Sequence, residues 1–149
     1  GGEISLVEKP LIKYSILECV LNGSQGAFFW NGFATYDPLS LEQIASALSM
    51  LAPYEDIIVE GKINHGVVNV SGGKANVSAI VHEKGILVLV SEYSKNEVAA
   101  EVTVPDSNSY ELINAWTGKS EGKITEKARS FKVILKDIER AKLYFLKKL

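Results

Sequence analysis

With one cysteine, Cys19, the chain cannot form an intrachain disulfide. It sits in the apolar stretch 16–21 and is expected to be a small buried hydrophobe, as free cysteine usually is. Histidine is nearly absent. His65 and His82 have no cysteine or carboxylate partner at metal-ligand spacing, so no zinc site is expected. Asp106 and Asn108 lack the repeated oxygen-ligand spacing of a calcium loop. No run is long and apolar enough to span a membrane as a helix. There is no basic excess either: 16 Lys and Arg stand against 18 Asp and Glu, for a net charge of −2. The lysines are scattered apart from Lys147 and Lys148, so no basic field is expected to gather nucleic acid. Gly72-Gly73-Lys74 lacks the leading glycine, the Ser or Thr after the lysine and the following helix of a phosphate loop. It reads as a hairpin turn, and no cofactor is expected. The chain opens on Gly1-Gly2, without an initiator methionine or a visible signal peptide. A processed or trimmed chain is expected to look like this, so its localisation is not readable.

Hydrophobic residues make up 46% and charged residues 23% of the 149, a globular composition. That length suits one ordinary domain or two small units sharing a core. The hydrophobic pattern changes once, between Pro53 and Gly61: apolar residues recur at helical spacing before it and at strand spacing after it. The first helix is expected over Leu11 to Leu21, with Pro10 in its first turn and Asn22-Gly23 as its stop. A short aromatic run at 26–30 has the composition of a buried strand. Ser40 reads as an N-cap, with Gln43 completing a capping box. The second helix then carries Leu41, Ile44, Ala45, Leu48 and Leu51 along one stripe and ends near Pro53.

The remainder reads as strands near 63–70, 77–81, 86–90, 98–104, 110–116, 131–135 and 141–146. The segment 86–90 is apolar on both faces, as a central strand should be. The polar, Gly-interrupted segment 119–129 is expected to be a mobile hairpin. Short strands with frequent turn signals argue for an antiparallel sandwich. The lack of helical crossovers argues against a parallel sheet. The expected fold is therefore α+β and mainly β: an antiparallel β-sandwich over 57–149, preceded in 1–56 by two helices and the short aromatic strand. The helices are expected to cover one side of the sandwich and bury the stripe led by Leu41, Ile44 and Leu48.

The front segment also resembles a known arrangement. A helix ending at Asn22-Gly23 leads through Ser24-Gln25-Gly26 into Ala27-Phe28-Phe29-Trp30-Asn31. A loop, a long helix ending at Leu51-Ala52-Pro53 and an all-β region follow. This is similar to the last strand and helix of the catalytic barrel in glycoside hydrolases of the (β/α)8 type, with their appended C-terminal β-sandwich. Within the sandwich, Leu87-Val88-Leu89-Val90-Ser91, Ala115-Trp116-Thr117-Gly118 and Ala141-Lys142-Leu143-Tyr144-Phe145 carry the same likeness.

The resemblance implies a role for each part. Barrel active sites lie at the C-terminal ends of the strands, and hydrolysis usually needs two carboxylates roughly 5–10 Å apart. In such barrels those carboxylates come from earlier strands, so this chain should hold no catalytic residue and should depend on an upstream barrel of the same parent. Trp30 and Asn31 would stand at the end of the last strand, with Tyr36 and Asp37 in the loop beyond. These four are the candidate oligosaccharide-binding residues. Core is the stronger reading for Phe28 and Phe29; for Trp30, core and sugar platform both stay open. Asp37-Pro38 is turn chemistry and more often structural. Among the sandwich aromatics Tyr93, Tyr110, Trp116 and Tyr144, an exposed row would form a sugar platform and a buried set an ordinary core. Core is the better reading for Trp116.

The expected function is the non-catalytic C-terminal portion of a glycoside hydrolase, supporting the barrel and contributing to its sugar cleft. On its own the chain should expose apolar surface and pair into a homodimer through it. Two alternatives stay open: a stand-alone carbohydrate-binding module, and a ligand-free structural or adhesion-type sandwich.

Overall fold

A computed structural model describes residues 11–25, 38–94 and 96–149. In α1 (Leu11–Leu21) the side chains of Tyr14, Leu17 and Leu21 fall on one stripe, and all three are buried. The helix stops where Gly23 takes φ 94°, and its N–H donates to the Val20 carbonyl at 3.0 Å. Cys19 is exposed, which corrects the expectation of a buried thiol. The cause is the helical period, which turns position 19 away from Leu17 and Leu21.

Helix α2 (Pro38–Leu51) runs on through a short 3-10 turn (Ala52–Tyr54) into α3 (Glu55–Glu60). These helices cover one face of the β-structure, as expected, but α2 uses a different stripe. Ala47, Met50 and Leu51 are buried and Ile44 is partly buried. Leu41 and Leu48, expected inside, are 50% and 56% exposed. The apolar arc of α2 is wider than one packing face, and packing selected the half centred on Ala47, whose small side chain permits close approach.

Among the described residues, nine strands form two antiparallel sheets. The strands are β1 (Lys62–Ile63), β2 (Asn69–Ser71), β3 (Asn76–His82), β4 (Gly85–Ser91), β5 (Val98–Thr103), β6 (Tyr110–Asn114), β7 (Lys119–Ile124), β8 (Ser130–Leu135) and β9 (Ala141–Lys148). The larger sheet has the order β1-β3-β4-β9-β6-β7 and the smaller the order β2-β5-β8. The fold is α+β and mainly β. The polar segment expected to be a mobile hairpin holds β7, the edge strand paired to β6. Only Ile124 of that strand is buried, so its sequence carries almost no hydrophobic alternation to reveal it.

The sheets and helices make three layers. Every residue of β4 is buried. Leu87 and Leu89 pack toward the helices, together with Leu143 and Phe145 of β9. Ile86, Val88 and Val90 point the other way, toward the small sheet, with Tyr144 and Leu146. This is the two-residue period of a strand read from both sides. The apolar character of 86–90 therefore reflects a middle layer.

Candidate functional site

The four candidate sugar-binding residues, Trp30, Asn31, Tyr36 and Asp37, lie outside the described residues, as do Phe28 and Phe29. Of the other sites weighed in the sequence, most have structural duties. His65 Nδ1 accepts the Ala79 N–H at 2.9 Å, and His82 Nε2 stands 3.6 Å from Glu60. Among the described residues, no group of three or more His, Cys, Asp or Glu side chains is placed to hold a metal ion. Asp106 accepts the Asn108 N–H at 2.9 Å and pairs with Arg129 at 3.0 Å. Its other oxygen accepts the Tyr110 hydroxyl. Burial and that carboxylate push the Tyr110 phenol up to about 12. This cluster ties the β5–β6 loop to the start of β8 and leaves Asp106 little freedom to bind a ligand.

A second buried network locks the β8–β9 turn. Arg140 Nε donates to the Glu92 carbonyl at 2.9 Å, and its Nη2 pairs with the Glu92 carboxylate and donates to the Asn96 carbonyl at 3.0 Å. Burial pushes the Glu92 carboxyl up. Hydrogen bonds from Ser94 and Arg140 more than offset this and hold it below the usual range. The Tyr14 hydroxyl of α1 donates to the Ile138 carbonyl at 2.6 Å and accepts the Arg140 N–H at 3.3 Å.

The neighbouring residue of α1 reaches a second turn. Lys13 is only 3% exposed, and its ammonium sits 2.9 Å from the centroid of the Trp116 ring. Burial lowers the Lys13 amine to about 8, partly opposed by Glu139. Trp116 belongs to the β6–β7 turn and is 45% exposed, which corrects the core reading. Asn114 builds that turn. Its Oδ1 accepts the N–H groups of Trp116 at 2.9 Å and Thr117 at 3.3 Å, and its Nδ2 donates to Glu121 at 2.7 Å. Gly118 completes it at φ 68°, donating to the Asn114 carbonyl at 2.8 Å. Asn114 at the start and Thr117-Gly118 at the end were the sequence signal that Trp116 sits in a turn; the apolar residues on either side of Asn114 masked it.

Since β6 and β9 are paired, the turn after β6 and the turn before β9 meet at one end of the large sheet. Between them is a cleft of about 170 Å³ lined by Asn114, Trp116, Thr117, Glu139, Lys142 and Leu143. Glu139 and Lys142 stand 3.5 Å apart on its rim. Its apolar lining is the indole and Leu143, and its polar lining includes one carboxylate, one ammonium and a hydroxyl. At the opposite end of β9 a shallower cleft of about 320 Å³ lies among Tyr54, Asp56, Lys84, Phe145, Lys147 and Lys148. There Lys84 is paired with Asp56, and the rings of Tyr54 and Phe145 meet at 5.2 Å. Neither cleft includes a pair of carboxylates facing each other, so neither offers the acid–base geometry of glycoside hydrolysis.

No family model matches the chain. No curated protein matches it either. Among solved structures it is similar to a catalytic mutant of a GH42 beta-galactosidase from G. stearothermophilus. The identity is 11% and the TM-score 0.39, over 74% of this chain and 13% of that one. The match thus spans a small part of that enzyme's length, and a likeness of this degree carries no weight for fold or function.

Proposed function

We propose that the chain is the non-catalytic C-terminal portion of a glycoside hydrolase, with residues 1–56 closing a (β/α)8 barrel and 57–149 forming the sandwich that braces it. One observation carries this reading: α2 is apolar on two sides. One side lies in the core, packed on α1. On the other, Leu41 and Leu48 are exposed two turns apart, with Leu39 exposed at the start of the helix. A helix apolar on two stripes suits a position between two layers, and among the described residues only one side of α2 is covered. The last helix of a barrel has this position, flanked by neighbouring barrel helices and the appended domain. The resemblance of 11–32 and 51–53 to the end of such a barrel supports the same reading.

The test is reconstitution in two pieces. The parent's upstream segment and this chain, produced as separate polypeptides, should copurify and together hydrolyse aryl glycosides that neither piece cleaves alone. Leu41→Asp with Leu48→Asp should abolish the association while leaving this chain folded. A parent with no upstream segment of a few hundred residues would sink the proposal, as would two pieces that fold but do not associate.

A further inference from the structure

We propose that the cleft beside Trp116 is a binding subsite for one pyranose ring of a neutral carbohydrate, carried by this chain independently of any upstream barrel. The first argument is the cost of the arrangement. A tryptophan ring is half exposed directly beside a hydrophobic core, held out by a turn whose backbone donors are taken up by Asn114. Lys13, buried and partnered by the ring, fixes the indole further. A large apolar ring presented this rigidly has little orientational entropy left to lose on binding.

The second argument is the chemistry of the walls. The indole, which carries the Lys13 ammonium over its ring but is 45% exposed, and Leu143 supply the apolar lining for the C–H face of a sugar ring. Around it the Glu139 carboxylate accepts, the Lys142 ammonium donates, and the Thr117 hydroxyl does either, which is the mixture that adjacent sugar hydroxyls require. On the rim the charges of Glu139 and Lys142 cancel, and the Lys13 ammonium is buried against the indole rather than on the rim, so the rim suits the hydroxyls of a neutral ring. Size agrees. Drug-sized ligands occupy pockets of roughly 300–1,000 Å³, and a cleft of about 170 Å³ admits a single ring. Asn114 is committed to the turn and to Glu121, so it acts as a positioning residue.

The experiment follows tryptophan fluorescence and amide NMR shifts of the chain during titration with methyl β-glucopyranoside, methyl β-galactopyranoside, methyl β-xylopyranoside and their β-linked disaccharides. Glucuronic acid is the anionic control. At least one neutral probe should give saturable changes, retained in Trp30→Phe and weakened at least about tenfold in Trp116→Ala. Glu139→Gln, on an exposed turn, should fold normally and lose about tenfold in affinity, as expected for a hydrogen bond to a charged group. If Trp116→Ala does not fold, Trp116→Phe and Glu139→Gln decide. Three results overturn the proposal: no saturable response to any neutral probe, undiminished binding in both the Trp116 and Glu139 variants, or equal binding of glucuronate. None of them touches the reconstitution test above, which reads the outer face of α2.

Discussion

The two faces of the large sheet are covered by different materials and have different cores. Toward the small sheet the buried set is rich in valine: Val68, Val88, Val90, Val102, Val104 and Val133. Toward the helices, among the described residues, it contains no buried valine and relies mainly on leucine, with isoleucine, tyrosine, Met50 and Phe145. Two sheets pack about 10 Å apart with regular interdigitation, which short branched side chains fill well. Helices lie on a sheet less evenly and need longer side chains to close the gaps. Both clefts described above include residues of the helical-side core, Leu143 in one and Tyr54 and Phe145 in the other, and the outer stripe of α2 lies on that side too. Regular packing made the scaffold here, and irregular packing made the surfaces available to ligands and partners.

Cavities test this contrast most strongly. Leu89→Ala on the helical face and Ile86→Ala on the small-sheet face should each cost about 2–5 kcal/mol in urea unfolding, since both residues are buried in β4. Enlargement should separate the faces: Val88→Leu should cost about 1–3 kcal/mol because the small-sheet face has no room. A neutral Val88→Leu would break the comparison. Gly85→Ala should be nearly as damaging, beyond about 1 kcal/mol. Gly85 has φ 149°, and a Cβ there would meet the Leu146 carbonyl at 2.1 Å.

The next effect is a pH dependence confined to the helical side. Lys13 titrates near 8 in the folded chain against an ordinary 10.5. Below about pH 8 both states hold the proton, and the folded state bears the cost of the buried ammonium. Above it the folded state has released the proton while the unfolded state still binds it, so stability should rise with pH. From about pH 10 the raised tyrosines, such as Tyr93 and Tyr144, oppose this, because the unfolded chain loses their protons first. The rise should therefore be read between pH 8 and 10, and Lys13→Met should flatten it. Trp116 fluorescence should titrate with a midpoint near 8 in the parent chain and not in that variant. A flat profile in both would remove Lys13 from the account. Smallest of all, Leu41→Ser and Leu48→Ser should change stability by within about 0.5 kcal/mol, since both residues are exposed. Sedimentation should then show whether any self-association of the free chain is lost with them.

Much of the scaffold could be read because it is local or periodic. Leu11 to Leu21 was legible as a helix from its apolar spacing and the Asn-Gly stop. The segment 86–90 was legible as a central strand from an unbroken apolar run. The second helix was legible as a helix, but its inward face was not. Leu41, Ile44, Ala47, Leu48, Met50 and Leu51 wrap too far around to specify one side. The cleft was less legible still. Its walls come from 114–117 and 139–143, and the lysine that fixes its indole comes from 13.

The two long helices, the antiparallel mainly-β class and the middle position of β4 followed from the sequence alone, because propensity, turn chemistry and hydrophobic period act over a few neighbouring residues; α3, β7 and the division of the expected strand 63–70 into β1, a 3-10 turn and β2 on different sheets did not. Which half of α2 faces the core, the exposure of Cys19 and Trp116, and the meeting of Lys13, Trp116 and Glu139 at one sheet end were decided by the tertiary structure. Each depends on which distant surface is available to pack against, and no local pattern in the chain encodes that.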